Sequence, residues 1–382
     1  RGFGKKGLKE QISKASSHLH SKPEVIDLVL VLDPFFSAAL LDPKHFQSTV
    51  LDCFRTIFLY SNGNNYPSLE LTERILNTVF KLHKPDMIEE SKLRCIQIVS
   101  SCFSSFSGQL FIHSEMLSQC FRFFLTVHNQ SDSSTVQEVA SMSVQESFRL
   151  YIERYKKPLP TPNFSTTEEL IQFEAATLIR NTINIQSINK DVEPTTTISD
   201  VDLIVILKEF TDAIQEHNLR VPTLCVCSQS ILILLQSTSP FLDTTFFKNL
   251  LTTDIHVSLL ALALDNHMLL ADSTAQLILT CWEKFSSYYV EGLNDLLDRG
   301  IATALTSPDS KILCRTLKIF TQLTSKPQFL VDAFVNYDCD QSGYFRNIFQ
   351  NTVNSVSKWS YPDFTSPSPE LQKTALKTLT SV

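Results

Sequence analysis

The sequence predicts an all-α protein built as an elongated α-solenoid of degenerate armadillo-like or HEAT-like repeats. Three observations support this fold class. Apolar residues recur at intervals of three and four through most of the 382 residues, which places them on one face of a helix. Glycine, which tight turns and phosphate-binding loops use, occurs only 8 times. Phenylalanine, a residue that fills the space between packed helices, occurs 27 times.

Short polar or proline-containing breaks separate the periodic stretches into consecutive helices, as stacked helix pairs require. In the first half the predicted helices are 25–32 and 35–41, with a break at Asp33-Pro34, then 44–60, 69–82, 92–103, one capped by Ser114, 134–154 and one that begins near Ser165. In the second half they are 201–214, 221–235, 241–251, 255–264, 273–289, 294–305, 310–323, 328–335, 345–359 and 370–379.

Two helix starts carry capping signals. Ser134 and Gln137 have the spacing of a capping box, in which each side chain bonds the other residue's backbone. Ser165 and Glu168 repeat this pattern. Between the helices of the two halves, residues 181–200 are rich in Asn, Thr, Ser and Asp and lack a sustained apolar stripe, so we predict a polar linker there.

Charge and cysteine use limit the classes of function. The net charge of −7 disfavours nucleic acid and unaided binding to an anionic membrane. Most of the nine cysteines lie singly within apolar helical patterns, which predicts free thiols in the reducing cytosol. Cys225 and Cys227 would point away from each other on a helix, so we expect no metal clip.

Motifs of catalysis are missing from the sequence. It contains no phosphate-binding glycine loop, no zinc-binding histidine pair and no nucleophile elbow. We therefore expect no enzymatic activity, no cofactor and no metal site. No apolar run reaches the roughly 18 residues that a membrane span needs, and any membrane association should be peripheral. The chain starts with Arg1 rather than methionine, and we expect it to be a fragment or a processed chain.

One segment, 331–340, differs from an ordinary solenoid turn. An apolar helix end runs into Asn336, Tyr337, Asp338, Cys339 and Asp340 without a glycine. The short polar side chains can bond backbone N–H groups, so that they close one helix and cap the next. The alternative is an acidic, exposed loop that docks another domain. Both interpretations remain open from the sequence.

Residues 335–340, Val-Asn-Tyr-Asp-Cys-Asp, resemble the HUS box of the large Golgi Arf guanine-nucleotide exchange factors. The flanks 328–334 and 347–356 agree with this resemblance. Residues 113–148 are similar to the last helices of the DCB (dimerisation and cyclophilin-binding) domain of the same family. The resemblance implies a DCB-like domain over 1–160, a connecting helix and polar linker over 161–200, and a HUS-like domain over 201–382 that continues the first as one solenoid.

The resemblance implies a non-catalytic regulatory region, because no segment resembles the family's exchange domain. It implies contact with an Arf or Arf-like small GTPase, self-association as a homodimer, control of a downstream exchange domain, and peripheral attachment to Golgi membranes, trans-Golgi rather than early Golgi. The alternative is a generic helical-repeat trafficking scaffold or transport adaptor without an exchange domain. An importin-like array is poorly supported because the sequence has only 2 tryptophans.

Overall fold

The computed structural model describes residues 2–21, 27–41, 43–60, 68–105, 112–155, 198–216, 219–339, 347–361 and 369–381. Within these ranges the regular structure is helical and includes no strand, which confirms the all-α prediction. The chain divides into two units, Arg1–Ile206 and Leu207–Val382. The predicted linker lies outside the described residues except for 198–200, which form the first turn of a helix. The predicted domain boundaries stay a prediction.

The first unit is built from seven helices in the described ranges and the start of an eighth. They are α1 (Gly2–His20), α2 (Leu28–Leu41), α3 (Pro43–Leu59), α4 (Leu69–Leu82), α5 (Glu89–Ser104), α6 (Ser114–Gln130), α7 (Ser134–Arg154) and α8 (Ile198–Gln215). Helix α1 packs on α2, α2 packs on α3 and α4, α3 packs on α5, and α5, α6 and α7 pack on one another. The core of this unit is rich in phenylalanine. Phe103, Phe121, Phe124 and Phe148 are fully buried and form mutual edge-on or tilted ring contacts.

The second unit contains α9 to α16 and the end of α8. The helices are α9 (Val221–Gln236), α10 (Thr245–Leu264), α11 (Ala271–Phe285), α12 (Val290–Ala302), α13 (Ser310–Thr324), α14 (Pro327–Asp338), α15 (Ile348–Ser360) and α16 (Pro369–Ser381). Three of them contain π-helical turns, at Leu251–Ile255, Leu296–Ala302 and Phe334–Asp338.

These helices form two layers in the second unit. Helices α9, α11, α13 and α16 pack side by side in one layer, and α10, α12 and α15 pack side by side in the other. The end of α8 adds to the second layer, because the hydroxyl of Ser258 on α10 donates to the carbonyl of Thr211 at 3.3 Å. Successive helices of the chain thus alternate between layers, with α14 as an addition. This is the packing of stacked helix pairs.

Among the local predictions that the structure corrects, two concern α2 and α7. The Asp33-Pro34 break does not occur, because Pro34 lies inside α2. Proline costs a helix one hydrogen bond, yet Leu32 and Phe36 on either side of it are buried, and this packing keeps the helix continuous. The capping box predicted at Ser134 and Gln137 does not form. Ser133 is the N-cap and accepts from the backbone N–H of Val136, and the Gln137 side chain donates to the carbonyl of Ser131 instead of accepting from an N-cap N–H.

Candidate functional site

The predicted site residues lie in the last turn of α14. The backbone N–H of Cys339 donates to the carbonyl of Phe334 at 3.0 Å, a bond of π-helical spacing. Asn336, Tyr337 and Asp338 are therefore part of a widened helical turn. The sequence had suggested that the helix ends at 335 and that these residues form a turn after it, and this prediction is wrong. Asp340 lies outside the described residues.

Asp338 caps the next helix. Its Oδ1 accepts the backbone N–H of Phe349 at 3.0 Å, and its Oδ2 accepts that of Gln350 at 2.8 Å. These are the second and third residues of α15, whose N–H groups have no partner within the helix. Asn347 holds the N-cap position but makes no side-chain capping bond. Asp338 thus makes the backbone bonds that a cap requires, while the role of the five residues as a functional site stays a prediction.

Tyr337 anchors the turn to α12. Its side chain is buried, and its hydroxyl donates to the carbonyl of Val290 at 3.3 Å. Burial, together with the nearby Asp332 carboxylate, raises the pKa of the phenol to about 12. Tyr337 therefore stays neutral at physiological pH and acts as a packing residue whose hydroxyl is tied to α12.

Asp332 fastens the middle of α14 to α11. Its Oδ2 accepts the indole N–H of Trp282 at 3.1 Å, and its Oδ1 accepts from the Gln328 amide at 2.7 Å. The Trp282 ring also meets Phe329 edge-on at a centroid distance of 5.4 Å. One face of α14 is thus held by hydrogen bonds and ring packing along its length.

The opposite face of α14 is apolar and exposed. Val331, Phe334 and Val335 are 53%, 47% and 54% exposed. Phe334 lies beside Phe349, with 6.1 Å between the ring centroids, at the edge of a shallow depression of about 430 Å³. We call Val331, Phe334 and Val335 the outer face of α14. Exposed aliphatic and aromatic side chains on a rigidly held helix are typical of protein-binding surfaces.

Two other polar features of the second unit were missed by sequence analysis. Arg315 on α13 is fully buried and donates to the carbonyls of Leu262 and Ala263 in the last turn of α10 and to that of His267 just after it. Burial lowers the pKa of its guanidinium to about 10. The only sequence signal was a charged residue on the apolar side of a predicted helix.

His256 joins α10 to α12. Its Nδ1 is 2.7 Å from the hydroxyl of Tyr289, and its Nε2 is 3.0 Å from Oδ2 of Asp295. Gly292 makes room for the Tyr289 ring, since an added Cβ would lie 2.1 Å from its Cε2 atom. The groups that meet here come from separate helices, so no local pattern could indicate them.

In the first unit, Asp202 on α8 caps α6. Its Oδ1 accepts the backbone N–H of Ser114 at 3.0 Å, and its Oδ2 is 2.6 Å from Nδ1 of His113. Ser114 has a φ of 49°, a conformation that costs energy for a residue with a side chain. The Ser114 cap predicted from the sequence is therefore wrong: Asp202, distant in sequence, supplies the acceptor.

Among the described residues one helical stretch, Thr245–Leu264, is long and apolar enough by composition to cross a membrane. Phe247, Leu251, Ile255 and Leu259 on it are fully buried against other parts of the unit. A core helix has the same composition. The apolar composition of Thr245–Leu264 is accordingly explained by its packing against the other helices of the second unit.

The described residues hold no group of three or more His, Cys, Asp or Glu side chains placed to bind a metal. The fold and the site define a helical module whose most distinctive feature is a helix end capped and anchored so that one face remains exposed. Helical-repeat proteins often use exposed apolar side chains of this kind as contact surfaces.

Residues 205–344 match the family model of the HUS domain of Mon2/Sec7/BIG1-like proteins. The segment is thus similar to the HUS domain, a non-catalytic region of that family, and this match confirms the resemblance found around Asn336–Asp340. A comparison with curated proteins finds no match to the chain. Residues 113–148 fall outside the matched segment, so their DCB-like character stays a prediction.

Proposed function

We propose that this chain is the regulatory region of an Arf guanine-nucleotide exchange factor of the Golgi, and that the outer face of α14 is one of its docking surfaces. The match of residues 205–344 to the HUS family model carries the proposal. In this role the chain binds a GTP-loaded Arf or Arf-like GTPase, self-associates, and controls a separate exchange domain. It attaches peripherally to the Golgi, trans-Golgi rather than early.

The geometry of α14 suggests that some residues in and beside the HUS box hold the fold and others bind a partner. Tyr337 and Asp338 point into the unit and hold the turn, whereas Val331, Phe334 and Val335 face outwards. Removing an inner residue should lower stability, while changing an outer residue should change binding alone. Cys339 is exposed as well. Asn336 is also exposed, but it borders the cleft that Trp282 and Tyr337 line on the inner side of α14.

The docking role is tested with Val335→Asp in a pull-down of the exchange domain supplied as a separate chain. A matched control is Val257→Asp, because Val257 is a helical valine of similar exposure, 50% against 54%, on α10. We expect Val335→Asp to weaken capture at least tenfold with an unchanged melting temperature. Equal capture by both variants would remove the outer face of α14 from the proposal.

Catalysis and recruitment are tested separately. The chain alone should leave the rate of nucleotide release from Arf at its spontaneous value, and acceleration would contradict the regulatory assignment. Liposome flotation should require the GTP-loaded GTPase, because a net charge of −7 opposes direct binding to anionic lipid. Flotation without the GTPase would contradict recruitment through it.

The full-length gene distinguishes the regulatory region from the alternative. The absence of any encoded exchange domain would favour the generic scaffold.

A further inference from the structure

A polar groove runs along the exposed side of α11 in the second unit. Its volume is about 520 Å³, and its walls come from the neighbouring helices α9 and α13. Asp272, Gln276, Thr280 and Glu283 of α11 line it at intervals of three and four residues, so the groove follows the helix axis. None of these residues belongs to the HUS box or to the outer face of α14.

The length of the groove suits an extended chain. From Asp272 to Glu283 the helix takes eleven steps and spans roughly 16 Å at the helical rise of about 1.5 Å per residue. An extended peptide rises about 3.3 Å per residue, so about five residues fit along this distance. A groove of this form is too shallow and too polar to enclose an acyl chain.

Two side-chain amides face the groove without a hydrogen bond to any other described residue. They belong to Gln236 at the end of α9 and Gln276 in the middle of α11. A glutamine amide offers both donors and acceptors. An extended peptide presents unpaired N–H and C=O groups along its length, and these require such partners once they leave water.

The two ends of the groove differ in net charge. At one end, Asp272 accepts from Lys318 at 2.8 Å and also from the Gln322 amide, so its carboxylate is already neutralised. At the other end, the Lys326 ammonium is 3.5 Å from the Glu283 carboxylate, and the Lys284 ammonium donates to the carbonyl of Ser237 at 2.9 Å. Two ammonium groups against one carboxylate leave this end positive.

We propose that the groove binds an extended peptide segment of a partner protein, held by Gln236 and Gln276 through its backbone and carrying an acidic side chain at the end formed by Lys284 and Lys326. The carboxylates among the lining residues argue against a nucleic-acid strand, which needs a continuous basic track. The site is additional to the regulatory function proposed above and does not depend on it.

The test is selection of displayed random twelve-residue peptides on the whole chain, followed by affinity measurement with the enriched synthetic peptides. We expect acidic peptides, and at least a tenfold loss of affinity for the double variant Gln236→Ala, Gln276→Ala. Lys326→Glu should weaken the same peptides, because it reverses the charge at the positive end. Gln229→Ala is the matched control, an exposed glutamine on α9 that does not line the groove, and it should bind like the unchanged chain.

All variants should melt at the temperature of the unchanged chain, since the substituted side chains are exposed. Three results would overturn the proposal. Selection could enrich no peptide, it could enrich basic or wholly apolar peptides, or the enriched peptides could bind the double variant and the unchanged chain equally well. None of these results would alter the outcome of the Val335→Asp pull-down, so the two proposals fail independently.

Discussion

The guanidinium of Arg315 donates a hydrogen bond from Nη1 to the carbonyl of Ala263 at 2.8 Å, and its side chain is fully buried. The carbonyls of Leu262 and His267 accept from the same side chain. The last carbonyls of a helix have no partner within it. Arg315, which lies on α13, thus supplies the hydrogen-bond donors that the last carbonyls of α10 lack within their own helix.

Replacing Arg315 by methionine should lower the free energy of unfolding of the second unit by about 3 kcal/mol or more, because each buried carbonyl left without a partner costs about 1–3 kcal/mol. Urea denaturation followed by tryptophan fluorescence measures this unit alone, since both tryptophans, Trp282 and Trp359, lie in it. Lys311→Met, an exposed position on the same helix, should change little. Equal midpoints for the two variants would contradict the structural role of Arg315.

Asp338→Ala should destabilise the second unit by about 0.5–2 kcal/mol, the usual cost of losing an N-cap. Asp338→Asn keeps an acceptor and should lose less. The same fluorescence measurement applies, because Trp359 lies on the capped helix and its indole N–H donates to the carbonyl of Leu305 at 2.9 Å.

Asp340→Ala should behave like Asp338→Ala if the two acids act together, as the sequence suggests. An unchanged midpoint for Asp338→Ala combined with lost capture of the exchange domain would show that the acid serves docking instead. No change in either measurement would remove Asp338 from the functional site.

Gly292→Ala should destabilise the protein by about 1–3 kcal/mol, the usual range for an overpacked core. The new Cβ would lie 2.1 Å from the Tyr289 ring, which is buried and whose hydroxyl is 2.7 Å from Nδ1 of His256. Gly7→Ala is the matched control on α1, where an added Cβ meets nothing within 4 Å. It should stabilise its helix by about 0.5–1 kcal/mol, because alanine favours helix over glycine. Thermal melting by circular dichroism compares them, and shifts of the same sign would contradict the steric argument.

The stability of the first unit should fall as the solution is made mildly acidic. Burial, reinforced by the Lys92 ammonium, lowers the pKa of His83 from its usual 6.5. The unfolded chain therefore takes up a proton near pH 6.5 while the folded chain does not, and stability is lost between this pH and the lower pKa of the folded state. Above pH 6.5 both states are neutral and the effect disappears.

His83→Phe should reduce this pH dependence, since phenylalanine keeps the ring contact with Phe123, now 5.4 Å between centroids, and does not titrate. Urea denaturation by circular dichroism at about pH 7.5 and about pH 5.5 brackets the window. A slope that is unchanged by His83→Phe would assign the pH dependence to other groups.

Helical periodicity was sufficient to predict the class of fold and most helix positions. The predicted 69–82 helix has the same bounds as α4, and Leu71, Ile75, Val79 and Leu82 on its apolar stripe are buried. The capping chemistry of Asp338 and the HUS resemblance were also visible, because both depend on residues close together in sequence. These features are local, and local spacing encodes them.

The features that hold the second unit together could not be predicted in this way. Arg315 bonds carbonyls 48 to 53 residues away, and His256 meets Asp295 across 39 residues. The π-helical turn at Phe334–Asp338 also escaped prediction, because a shift from four-residue to five-residue bonding leaves the apolar pattern almost unchanged. The same holds for Pro34, where burial of its neighbours overrode the local preference for a break. The sequence by itself therefore determined most of the helix positions and the family that their segment resembles. Only the tertiary structure decided which polar groups are buried together and which face of α14 is left exposed. Both of these depend on packing between helices that are distant in the chain.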